Sequence, residues 1–111
     1  MGGMSRTKGK VGEREVAALL KSHGIEARRG QQYAGGGDSP DVVHSLTGIH
    51  IEVKRTERFA LDPAMNQAQA DMNEGEIPTV WHRSSGNEWV VVIHAEDFIA
   101  LAKKAKANGI T

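Results

Sequence analysis

The chain has 111 residues, a formal net charge of zero and no cysteine. That length suits one hydrophobic core, and the absence of cysteine excludes disulfides and thiolate zinc sites. No apolar run approaches the roughly 20 residues a membrane helix needs, and the Gly-rich, basic N-terminus lacks the apolar core of a secretory leader. The expectation is a flexible N-terminus over 1–7 and a single domain over 8–111, acting in the cytoplasm with no membrane partner.

Charge is unevenly spread. Residues 5–30 hold seven Lys/Arg against three acids, and residues 56–76 hold one basic residue against five acids. A basic N-terminal third can meet an anionic partner such as a phosphate backbone; it can equally be a solvated helix face.

Residues 11–23, VGEREVAALLKSH, predict an amphipathic helix that stops at Gly24. Glu13 stands three, four and seven residues before Val16, Ala17 and Leu20, so it shares their apolar face. An acid there is costly unless something pairs with it. The alternative is an exposed acid paired with Lys10 or Arg14. Residues 25–29 read as a short strand or an extended connection, and GQQYAGGGDSP as a loop.

Two strands follow, about 40–45 and 49–55, with a short turn that suggests a hairpin. The second alternates, with Ile49, Ile51 and Val53 on one side and His50, Glu52 and Lys54 on the other. Residues 63–74 predict a helix opened by Asp62 and Pro63, and 77–83 and 88–93 predict two strands across a turn. Residues 95–107 predict a closing helix, acidic at its start and basic at its end, as the helix dipole favours. The order α-(β)-β-β-α-β-β-α predicts an α/β fold with a mixed central sheet flanked by helices.

In a hairpin, Asp41 and Glu52 would converge. Two carboxylates in a cleft repel each other unless a cation joins them. Oxygen donors of this kind suit Mg²⁺ or Mn²⁺, and the Val53 carbonyl can add another. Lys54 alongside can orient a water or hold negative charge. Such a set suits phosphodiester hydrolysis. The bland alternative is an exposed, salt-bridged strand face. His44 and His50 could also face each other as a transition-metal pair, but no third ligand stands at recognisable spacing.

Pro40-Asp41 followed by Glu52-Val53-Lys54 resembles the PD-(D/E)XK nuclease signature. Residues 8–30, KGKVGEREVAALLKSHGIEARRG, resemble the opening of the archaeal-type and phage Holliday-junction resolvases. The resemblance implies a restriction-endonuclease-like core and Mg²⁺-dependent cleavage of DNA. It also implies a homodimer when the substrate is a four-way junction, and it suggests a phage origin.

By the same resemblance Glu13 is a third acid of the site, through a second metal or through water, and Arg29 is the arginine at the strand end. Gln67, with Gln69 nearby, matches a helix glutamine, and Asp38 is a supporting group or merely a loop acid. Lys8, Lys10, Arg14, Arg28 and Arg29 become candidate DNA contacts. Glu15 is expected to face solvent. The rivals are a nuclease of this fold acting on nicked, flap or single-stranded DNA, and a non-catalytic DNA-binding protein on the same fold.

Overall fold

The computed structural model describes residues 2–30 and 41–109, with side chains from residue 9 onward. In chain order it forms α1 Gly2–Ser22, β1 Ala27–Arg29, β2 Val42–His44, β3 Ile49–Arg55, α2 Leu61–Asp71, β4 Ile77–Arg83, β5 Val90–Ile93 and α3 Ala95–Ala107. The order is the predicted one, in an α/β fold with helices against a mixed sheet.

Two helices differ most in extent, while β2 and β5 are each shorter than expected. Helix α1 starts at Gly2 rather than near residue 11, so residues 2–7 are helical where a flexible terminus was expected. The added turns mix the helix formers Met4, Arg6, Lys8 and Lys10 with three glycines, so local propensity carries no helix signal there. Helix α2 spans Leu61–Asp71 rather than 63–74, leaving Gly75 (φ +86°) in the turn before β4. Gly24 (φ +81°) ends α1 in a Schellman arrangement, with Ile25 N–H donating to Leu20 O and Gly24 N–H to Lys21 O.

The expected β2–β3 hairpin does not form. β2 pairs antiparallel with β1, Arg28 opposite Val43. β3 instead pairs parallel with β4 in full register, from Ile49 opposite Ile77 to Arg55 opposite Arg83, and α2 provides the crossover. β4 then turns back into β5 antiparallel. β3 is therefore an edge of its ladder, with one side of its backbone left free of β4.

Alternation along β3 and β4 builds two cores. Ile51 and Val53 pack with Val16, Ala17 and Leu20 of α1, Ala27 of β1 and Val42 of β2. On the other face Val80 packs with Ala64, Met65 and Ala68 of α2. Gly12 lets α1 lie close on β3: a Cβ there would come within 2.7 Å of Arg55 Cβ and 3.2 Å of Val53 Cγ1. The C-terminal part is different. No residue of α3 is buried among the described residues, and Phe98 and Ile99 are exposed together with Val90 and Val91 of β5.

Candidate active site

Asp41 stands where the two ladders meet. Its carbonyl accepts from Gly30 N–H at 2.9 Å, which fastens it to the end of β1. Its Oδ2 accepts from Val53 N–H at 3.0 Å, which fastens it to the free edge of β3. The N–H and C=O of one strand residue point to the same side. The Val53 carbonyl therefore also faces the Asp41 side, away from β4.

Glu52 is buried, only 3% exposed, on the face of β3 shared with Val80. His50 Nε2 lies 3.1 Å from Glu52 Oε1, and Lys54 Nζ lies 4.0 Å from Glu52 Oε2. Lys54 Nζ also donates to Gln67 Oε1 at 2.8 Å. Of the two glutamines on α2, Gln67 is thus the one that meets the strand. A cleft of about 200 Å³ opens on this side, lined by Lys54, Gln67, Arg58 and Phe59 among others.

Glu13 arrives from α1. Its Oε1 accepts from Arg29 Nε at 2.9 Å, so its partner is Arg29 rather than Lys10 or Arg14. The neighbour Glu15 is not the solvent-facing acid expected from the sequence. It accepts from Arg83 Nη1 at 2.6 Å and from Trp89 Nε1 at 3.2 Å, which bolts α1 to β4 and to the chain entering β5. Consecutive odd positions on one helix therefore do different work, Glu13 at the acidic cluster and Glu15 in the scaffold.

The electrostatics follow from this crowding. Burial pushes the Asp41 carboxyl from 3.8 up to about 7; the charges of Glu52 and Glu13 add to the rise, and the Val53 hydrogen bond opposes it. Hydrogen bonding to Glu52 raises His50 against the effect of its burial. His44 is lowered by burial, and its Nδ1 accepts from Leu46 N–H at 3.0 Å. That bond gives His44 a place in the turn after β2 rather than in a metal pair.

Among the described residues no three His, Asp or Glu side chains converge closely enough to hold a metal as they stand. A hard divalent cation such as Mg²⁺ does not require three. It keeps several waters and binds through one or two carboxylates. Asp41, Glu52 and the Val53 carbonyl form an all-oxygen set of that kind. A cation would also relieve the repulsion that adds to the effect of burial on Asp41. Glu13 is held by Arg29 and its charge reaches Asp41.

Lys10, Arg14 and Arg28 are exposed, and Arg29 is half-buried against Glu13. Lys8 lies in α1 with its side chain outside the described residues, and Asp38 lies outside them altogether.

Residues 4–106 match the family model for the archaeal Holliday junction resolvases (Hjc). The chain belongs to that family. Membership places it in the PD-(D/E)XK nuclease superfamily and makes it a nuclease by descent, with DNA as the substrate class. Comparison with curated proteins and with solved structures gave no match. The resolvase match spans α1 to α3, so the late β4–β5–α3 region belongs to it as fully as the motif-bearing first half.

Proposed function

We propose that this resolvase-family chain is a Mg²⁺-dependent endodeoxyribonuclease, with Mn²⁺ able to substitute, that cuts four-way DNA junctions as a homodimer. The observation that carries the proposal is the meeting of Asp41 and Glu52 at the free edge of β3, beside Lys54. Asp41, Glu52 and the Val53 carbonyl would hold the cation. Bound there, it would neutralise charge on the scissile phosphate and lower the pKa of water.

The protein's own side chains supply the rest. Lys54, oriented by Gln67, holds the attacking water in line with the scissile phosphorus. As the new P–O bond forms, the bond from phosphorus to the 3′ oxygen breaks. The attacking water gives its proton to bulk solvent and the departing 3′ oxygen takes one from solvent water, so the products are a 5′-phosphate and a 3′-hydroxyl. Glu13, fixed by Arg29, takes a hydrogen bond from water at the rim of the site. Lys8, Lys10, Arg14 and Arg28 hold the DNA backbone through α1 and β1, the strongly basic part of the chain.

Homodimer formation is supported by the uncovered apolar residues of β5 and α3. Val90, Val91, Phe98 and Ile99 are each more than two-fifths exposed, between 46% and 58%. Among the described residues β5 is also an edge strand, with one side of its backbone unpaired. A two-fold partner pairing along β5 or packing on α3 would cover part of this apolar surface.

The test is substrate choice. Purified protein is incubated in Mg²⁺ with four-way, flap, nicked, single-stranded and linear DNA of matched sequence. Paired cuts in the four-way junction, with little cutting of linear duplex, are expected. Equal cutting of all substrates would remove the junction assignment and leave a nuclease of broader choice.

A further inference from the structure

We propose that His50 is a positioning residue of this nuclease, and that it aims the Glu52 carboxylate at the cation position by holding its Oε1. The inference rests on the reading of Glu52 as a metal ligand. It adds a residue that lies outside the PD-(D/E)XK signature.

The geometry is specific. His50 and Glu52 are two residues apart on β3, so their side chains leave the same face. Both are buried, His50 at 6% and Glu52 at 3% exposure. His50 Nε2 and Glu52 Oε1 lie at hydrogen-bonding distance, 3.1 Å, and in the tautomer with its proton on Nε2 the ring donates to Oε1. Oε2 is thereby left on the side of Lys54, 4.0 Å from its Nζ. The two oxygens are sorted between a fixed donor and the open side of the site.

His50 is itself held in place. Its main-chain carbonyl accepts from Thr79 Oγ1 at 2.6 Å, and Thr79 is also buried and in turn accepts from Trp81 Nε1 at 3.1 Å. The parallel β3–β4 register sets Thr79 beside Ile51, one residue along from His50. A chain of fixed contacts thus runs from the β4 strand to His50 and from His50 to the Glu52 carboxylate. Groups that orient a metal-binding carboxylate typically alter metal affinity by 10- to 100-fold when lost.

Two substitutions separate donation from shape. His50→Leu removes the donor and keeps the site apolar, whereas His50→Gln places an amide nitrogen close to the Nε2 position. The measurements are Mn²⁺ affinity by calorimetry on the full chain without DNA, junction binding in chelator, and kcat against KM for junction cleavage. Circular dichroism monitors the fold.

His50→Leu is expected to weaken Mn²⁺ binding by about 10-fold or more. It should lower kcat at fixed Mg²⁺ and leave KM and junction binding in chelator unchanged. His50→Gln is expected to recover most of the affinity. A folded His50→Leu with wild-type affinity and kcat would overturn the proposal, as would a folded His50→Gln that behaves like Leu. If His50→Leu does not fold, the Gln variant decides alone: wild-type affinity supports the proposal, and lost affinity overturns it. Failure of the wild-type chain itself to bind Mn²⁺ would remove the metal site and this role with it. That outcome differs from one in which the wild type binds and the variants match it.

Discussion

Asp41 Oδ2 accepts the main-chain N–H of Val53 at 3.0 Å, and this single bond joins the β1–β2 ladder to the free edge of β3. The same carboxylate is thus a structural clasp and a candidate metal ligand. Asp41→Ala is expected to abolish cleavage and also to lower stability by about 1–3 kcal/mol, because a buried N–H loses its acceptor. Asp41→Asn keeps an acceptor and should abolish cleavage while sparing stability. Urea unfolding of both variants beside a cleavage assay makes the distinction.

The high pKa of Asp41 gives the metal-free protein a defined pH response. Folded, the group titrates near 7; unfolded, near 3.8. Below the lower value both states are protonated and the group contributes nothing. Between the two values the unfolded chain releases its proton while the folded protein keeps it, so stability falls as pH rises, and then levels off above about 7. Melts of the metal-free chain should therefore show a downward slope over this window, flattened in Asp41→Asn. Saturating Mg²⁺ should raise the melting temperature more at alkaline than at acid pH, since it binds the ionised form of the folded protein.

Gly12 sets the height of α1 above β3 and, one residue on, the position of Glu13. A Cβ at Gly12 would meet Arg55 Cβ at 2.7 Å, and that atom is rooted to the strand and cannot swing aside. Gly12→Ala is expected to destabilise by about 1–3 kcal/mol as the helix is forced outward. It should also reduce cleavage. Denaturant midpoints and single-turnover rates measure the two effects.

Much of this was legible in the sequence, and the part that was not has a physical reason. Period-two alternation shows which side chains of 49–55 share a face, and helical spacing places Glu13 with Val16 and Leu20. Neither says which strand lies alongside. The short Ser45–Gly48 connection suggests a hairpin, yet β3 chooses β4 in parallel through α2. Asp41 and Glu52 still meet, by a side-chain clasp to the edge of β3 rather than by cross-strand pairing. The partners of Glu13 and Glu15 were beyond local pattern, since Arg83 lies 68 residues from Glu15. For Gln67 a signal existed: Ala64, Met65 and Ala68 define the inner face of α2, and Gln67 borders it.

The Lys54–Gln67 bond at 2.8 Å separates rate from binding. Lys54→Ala is expected to slow cleavage by about 100-fold, the scale on which a misplaced reacting group loses rate. Gln67→Ala should cost less, because Lys54 keeps its charge and loses only its orientation. Neither should alter junction affinity in chelator by more than a few-fold, as gel-shift measurements can determine.

Replacing an exposed apolar residue of α3 addresses assembly. Phe98 is 58% exposed, so Phe98→Glu costs the monomer little. It is expected to shift the protein from dimer to monomer in sedimentation and to abolish paired junction cuts. The Asp41–Glu52 site and Mn²⁺ binding should be left intact.

The most direct measurement follows a labelled four-way junction incubated with the wild-type chain and with Glu52→Gln, each in Mg²⁺ and in chelator. Wild-type cleavage in Mg²⁺ alone is expected, with 5′-phosphate ends, and no cleavage by Glu52→Gln in either condition. Cleavage that persists in chelator, or in the Glu52→Gln protein at wild-type rate, would contradict the assignment of Asp41 and Glu52 as the cation-holding pair.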